Sequence, residues 1–222
     1  MANNLKIASN KDCIEVDIQN ILSGYYFDRE SILRLIELLQ VLKKNYQHVK
    51  FFSSNKKIFS LGFNPSDFDF QSKSLDQIRY GLQLGQSLVG EIYNICIEFF
   101  VNGFCLGAGL EFALSAQKIN IGDNAKIMFS ERSVANGFFP GYGGIYLMAK
   151  KLGLQFTLSH LFNAQYFGKV QFENANYEFG SNLIESEDTS FVIKIAESNS
   201  LEEAQKLSTD LFLKKIIEKY NK

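Results

Sequence analysis

Val101-Asn102-Gly103-Phe104-Cys105-Leu106-Gly107-Ala108-Gly109-Leu110-Glu111 joins an apolar, strand-like run (Ile92 to Val101) to a turn of small residues and then to a helix. The turn holds a Gly-Ala-Gly triplet, and the carboxylate of Glu111 follows within the first helical turn. Free N–H groups at a helix N-terminus point outward and carry partial positive charge, so such a turn can hold an anion or a developing oxyanion. Small residues also let a ligand come close to the backbone. Glu111 then stands beside whatever is bound, a combination that suggests carbonyl chemistry. Gly-rich strand-to-helix turns also arise for tight packing alone, so this segment by itself leaves both readings open.

Outward from it the chain alternates strands and helices. Leu5 to Ala8 and Cys13 to Ile18 read as short strands meeting at the turn Ser9-Asn10-Lys11-Asp12. Arg29 to Lys44 carries Ile32, Leu33, Leu35, Ile36, Leu39 and Leu42, the apolar stripe of an amphipathic helix. Val49 to Phe52 is a third strand, Phe59 to Pro65 reads as a loop, and Leu75 to Tyr93 is a second helix. Ile95 to Val101, Lys118 to Ile121 and Lys126 to Phe129 add strands. Helices follow over Tyr142 to Lys151, Leu154 to Phe162 and Leu201 to Tyr220. This order builds a mostly parallel sheet covered by helices. With no Pro- or Ser-rich linker and no repeat, residues 1–222 are expected to form one domain: an α/β core to about residue 190 and a helical segment over about 191–222.

Composition narrows the function classes. The 222 residues are 46% hydrophobic and 21% charged, which suits a globular protein with a large core. A net charge of -1 without a block of like charges argues against nucleic acid or an anionic membrane as partner. The polar start Met1-Ala2-Asn3-Asn4 lacks a signal-peptide core. No apolar run reaches the ~18 residues of a membrane span. A cytoplasmic location is therefore expected. Cys13, Cys96 and Cys105 lie among apolar neighbours, and His48 and His160 stand alone in sequence, so buried, inert thiols and no protein-bound metal are expected.

Three segments together resemble the crotonase (enoyl-CoA hydratase/isomerase) superfamily. Phe59-Ser60-Leu61-Gly62-Phe63-Asn64 is similar to that family's F-x-x-G-x-D loop, and Val101 through Glu111 to its VNG-x-x-x-GGG-x-E segment. The third runs from Asn124-Ala125-Lys126 through Phe129-Ser130-Glu131 to Gly137-Phe138-Phe139-Pro140-Gly141-Tyr142-Gly143-Gly144, ending at Lys151-Leu152-Gly153. Order and separation match over most of residues 5–185. The resemblance implies a crotonase-like (ClpP/crotonase) spiral of ββα units with a helical C-terminal region, shortened here relative to the family.

The resemblance also implies roles. An acyl thioester would place its carbonyl between the backbone N–H groups of Phe63 and Ala108, which would stabilise an enolate. Gly62, Asn64, Gly107, Gly109, Pro140 and Gly141 would line the substrate site. Glu111 and Glu131 would position and activate the water that adds across a 2-enoyl double bond, as base and acid around one water. Counting forward from Glu111 puts Glu131 at the second position; counting back from Gly137 and Pro140 puts Ser133 there, because two extra residues lie between Lys126 and Gly137. An insertion after Glu131 keeps the carboxylate.

Phe63 is unusual at its position and would narrow or reshape the pocket, Asn64 stands where Asp is usual, and Ile95-Cys96 replaces a common Lys-Pro pair. Glu98 interrupts an apolar strand and is expected to be hydrogen-bonded.

The implied activity is hydration or dehydration of a 2-enoyl thioester in fatty-acid metabolism. The rivals are isomerisation or decarboxylation with one acid/base group, and a non-catalytic thioester-binding or scaffold role. No separate cofactor is implied; coenzyme A or an acyl carrier protein's phosphopantetheine would belong to the substrate, with Lys56, Lys57, Lys73 and Arg79 near the first loop as phosphate contacts. The family commonly forms trimers. The apolar spread of the last helix (Leu207, Leu211, Phe212, Leu213, Ile216, Ile217) suggests packing on a neighbouring subunit, hence a homo-oligomer, a trimer or a pair of trimers.

Overall fold

The computed structural model describes residues 7–10, 12–67, 70–129, 138–175 and 186–220. Five strands form one sheet: β1 (Ile7–Asn10), β2 (Cys13–Asp17), β3 (His48–Phe52), β5 (Ile97–Val101) and β7 (Lys118–Ile121), side by side in that order. Only β1 runs antiparallel to its neighbour; the other pairs are parallel. A second, wholly parallel sheet joins β4 (Ile58–Ser60), β6 (Phe104–Leu106) and β8 (Lys126–Met128). The chain therefore passes repeatedly from a strand of the first sheet to a strand of the second and then to a helix.

Helix α1 (Arg29–Asn45) starts at a reciprocal cap between Asp28 and Ser31 and buries Ile32, Leu35, Leu39 and Leu42. Helix α2 (Leu75–Tyr93) starts at Ser74 with Gln77 and buries Ile78, Leu82, Leu88, Val89 and Ile92. Each face repeats every three to four residues, which is why the two helices pack on each other and enter the shared core. Strand β5 alternates in the same spirit: Ile97, Phe99 and Val101 are buried while Phe100 faces out. Glu98 points to the other side, where it accepts hydrogen bonds from Lys118 (2.8 Å) and Asn120 on β7. The Lys118 contact holds its carboxyl below the ordinary range.

Helix α3 (Ala108–Ser115) is buried on every side, and α4 (Gly144–Leu152), α5 (Leu154–Asn163), α6 (Lys169–Glu173), α7 (Glu187–Ala196) and α8 (Leu201–Tyr220) complete the fold. Several sequence expectations shift. Residues 58–60 and 104–106 are strands, where the sequence read a loop and a turn; three residues are too few for a period of two to show. Strand β1 runs on to Asn10, two residues past its expected end, while residues 5–6 lie outside the described residues. Helices α6 and α7 are additions.

The last helix overturns an expectation. Leu211, Phe212, Leu213 and Ile216 are buried within this one chain, and Ile217 is exposed. The ring of Phe212 meets Phe70 (5.6 Å) and Phe138 (5.5 Å). The apolar spread of α8 is thus satisfied by its own core rather than by a neighbouring subunit. Among the described residues no helix is long and apolar enough to cross a membrane.

Candidate functional site

Strands β4 and β6 are parallel neighbours, so the loops leaving their ends emerge side by side. The first loop is Leu61–Asn64, and the second is Gly107 at the start of α3. Gly62 adopts φ +93°, and a Cβ there would lie 3.0 Å from the Leu106 carbonyl oxygen and 3.6 Å from the Ala108 nitrogen. The sequence thus brings the Phe63 turn and the Ala108 amide together by strand pairing.

Residues 25–27 run along the other side of the first loop. Leu61 N–H donates to Tyr25 (2.8 Å), Phe27 N–H to Gly62 (2.8 Å) and Asn64 N–H to Phe27 (2.7 Å). In a parallel ladder that pairs Phe27 with Phe63, the N–H of Phe63 faces away from residues 25–27. Ala108 opens α3 with no side-chain cap before it, and its N–H has no hydrogen-bond partner among the described residues. Gly107, by contrast, spends its N–H on the Met128 carbonyl (3.1 Å). Asn64 caps a local turn, its side-chain oxygen accepting from Ser66 N–H. Phe63 is half-buried against the core.

Glu111 sits one turn into α3 and is 4% exposed. Its Oε2 accepts from the N–H groups of Tyr142 and Gly144, each at 2.9 Å. Gly141 supplies a third backbone hydrogen bond to the carboxylate. These amides open α4, so the carboxylate lies at the positive end of a helix. A Cβ on Gly144 would fall 2.5 Å from Glu111 Cγ, so glycine is what lets the turn close on the side chain. Burial pushes the Glu111 carboxyl up to about 7, outweighing the three amides that pull it down. An acid poised there can give or take a proton near neutrality.

The turn that grips Glu111 is itself held. Gln86 on α2 donates to the carbonyl of Gly141 (2.8 Å), to Gln205 and to Thr209, while Gln205 on α8 donates to the carbonyl of Tyr142 (3.1 Å). The Tyr142 ring stacks on Phe112 at 5.6 Å and lies against Gly85, where a Cβ would come within 2.3 Å. Its hydroxyl is buried with no hydrogen-bond partner among the described residues. Sequence reading missed Gln86, Gln205 and Tyr142. A glutamine on a helix face carries no motif, and only the Tyr142 position inside the Pro-Gly-x-Gly-Gly run offered a cue.

The structure thus brings together Gly62, Phe63, Gly107, Ala108, Gly109 and Glu111, with Pro140 and Gly141 at the turn behind the carboxylate. Glu131 and Ser133 lie outside the described residues. A groove of about 620 Å³ runs along β7, α4 and α6 and contains none of these residues. The thiols differ from expectation: Cys105 is buried, but Cys13 and Cys96 begin or precede strands and are partly exposed. His48 is not isolated, since it contacts Cys96. His160 is a core residue stacked on Phe156 at 4.0 Å.

Comparison with known proteins agrees with this architecture. The chain is similar to an enoyl-CoA hydratase from Bacillus halodurans (TM-score 0.71, 14% identity, covering 96% of this chain and 94% of that one). It is also similar to Pseudomonas aeruginosa DspI (TM-score 0.69, 15% identity, 93% and 85% covered). A Geobacillus kaustophilus enoyl-CoA hydratase aligns with a TM-score of 0.68 at 18% identity, covering 79% of this chain and 66% of its own length. At such identities the likeness speaks for the crotonase-like fold. The sequence profile of the enoyl-CoA hydratase/isomerase family matches residues 27–173, a stretch that contains both loops and Glu111. The chain belongs to the enoyl-CoA hydratase/isomerase family, within the crotonase superfamily.

Proposed function

We propose that this protein acts on an acyl thioester, carried by coenzyme A or by an acyl carrier protein, and adds or removes water across a 2-enoyl double bond. The thioester carbonyl sits between the N–H groups of Phe63 and Ala108, and the negative charge that develops on its oxygen is stabilised there. Glu111 exchanges a proton with the water or the acyl carbon beside that carbonyl, and Glu131 is the second carboxylate. The observation that carries the reading is the buried Glu111, held by the 141–144 turn at about 7 and one helical turn from the uncapped Ala108 N–H.

Isomerisation of the double bond is the second reading. It is favoured by the fact that Glu111 is the one buried carboxylate at this site among the described residues, the other buried carboxylate, Asp17, being tied to Gln19 and Ser54 N–H. Self-association as a trimer or pair of trimers would have to use surfaces other than the buried face of α8. The test is turnover of a 2-enoyl thioester by the native protein and by Glu111→Gln, with Glu131→Gln separating the readings: hydration needs both carboxylates, isomerisation one.

A further inference from the structure

At the opposite ends of the strands from Glu111, the first sheet brings Cys13, His48 and Cys96 into one row. Cys13 pairs with His48 between β2 and β3, and the pairing of Val49 with Ile97 sets Cys96 beside His48 on the third strand. The Cys96 carbonyl accepts from Val49 N–H at 3.2 Å, which fixes the backbone there. The Cys96 Sγ lies 3.0 Å from His48 Nδ1. His48 is exposed and Cys96 partly so, which places the pair at the protein surface. At that separation the imidazole is placed to accept the thiol proton as the sulfur attacks, acting as a general base to the nucleophile.

We infer that Cys96, activated by His48, is a reversible modification site that forms mixed disulfides with low-molecular-weight disulfides. The Cys96 sulfur attacks one sulfur of the disulfide, a new S–S bond forms, and the other sulfur leaves as a thiolate that takes the proton held by His48. The Cys96 sulfur is oxidised and the departing sulfur is reduced, so electrons balance without a further reagent.

The geometry also dictates that the reaction stops at the adduct. Cys13 lies two strands away, roughly 9–10 Å at the usual strand spacing of ~4.8 Å, beyond the ~7 Å that a disulfide spans between Cα atoms. Cys105 is buried in the other sheet. No resolving thiol therefore reaches Cys96 among the described residues. Among the described residues no group of three or more His, Cys, Asp or Glu side chains is placed to hold a metal ion.

The experiment is to incubate the reduced full-length protein with oxidised glutathione and follow adducts by intact mass and peptide mapping. The expected result is one glutathione adduct, reversed by reductant, appearing at Cys96 before Cys13. Cys96→Ser abolishes it, and His48→Ala or His48→Gln slows it severalfold while thermal unfolding stays unchanged. Equal rates in native protein and a folded His48 variant overturn the inference, as does an adduct that forms first at Cys13. If neither His48 variant folds, the order of labelling at Cys96 and Cys13 in the native protein decides it.

Discussion

A carboxylate that accepts three backbone hydrogen bonds would ordinarily be a stronger acid than usual, yet Glu111 is a weaker one. Removal from water wins, because the side chain is enclosed by α3, the 141–144 turn and the core. This has a consequence for stability with a definite sign. The folded state binds the Glu111 proton more tightly than the unfolded chain, whose carboxyl has the ordinary value of 4.5. The group's contribution is therefore fully present below pH 4.5 and is lost as pH rises to about 7. The difference is on the order of 3 kcal/mol. Urea unfolding at pH 5 and pH 8 measures it: the native protein loses more stability across that window than Glu111→Gln does. Equal losses in the two proteins would mean that Glu111 ionises as it would in water. The same ionisation makes it a usable acid or base.

At the scale of elements, what decides the site is a short buried helix and a braced turn. The residue positions of the two loops and of Glu111 were legible because glycines and a carboxylate at fixed offsets mark close approach and a helix start. Helices α1, α2 and α8 were legible from their apolar residues. Helix α4 was read from Tyr142, but it begins at Gly144, because Gly143 before it adopts φ +106°, outside the helical region. Helix α7 was missed although Ser186 caps it and Thr189, Val192 and Ile195 recur every third residue; its β-branched run masks the signal. The Gln86–Gln205 brace was not legible, because contacts between α2, α8 and the turn exist only in the fold. Gln86→Leu removes the donor to Gly141, Gln205 and Thr209, so the turn is expected to slacken. Turnover should then fall about tenfold to a hundredfold with little change in KM, as expected when a catalytic group is misplaced. A KM effect alone would make Gln86 part of substrate binding instead.

Over the whole molecule, α8 closes the fold by seating Phe212 between Phe70 and Phe138. The sequence showed that this helix had to bury an apolar face, but it could not show against what, since periodicity names a face and not its partner. Phe212→Ala should cost about 3–5 kcal/mol in denaturant unfolding, the usual range for emptying a core aromatic position. A loss below 1 kcal/mol would mean that the helix end is only loosely docked. Strand pairing sets two loops together and a buried carboxylate gripped by a turn stands beside them, the arrangement we propose to handle an acyl thioester. The most direct measurement is the hydration of a short 2-enoyl-CoA by the purified native protein beside Glu111→Gln, with binding of the same thioester followed in both. Turnover by the native protein is expected, with a loss of ~10²–10⁴-fold in the variant and binding kept. Turnover by Glu111→Gln at the native rate, or thioester binding with no turnover by the native protein, would contradict it.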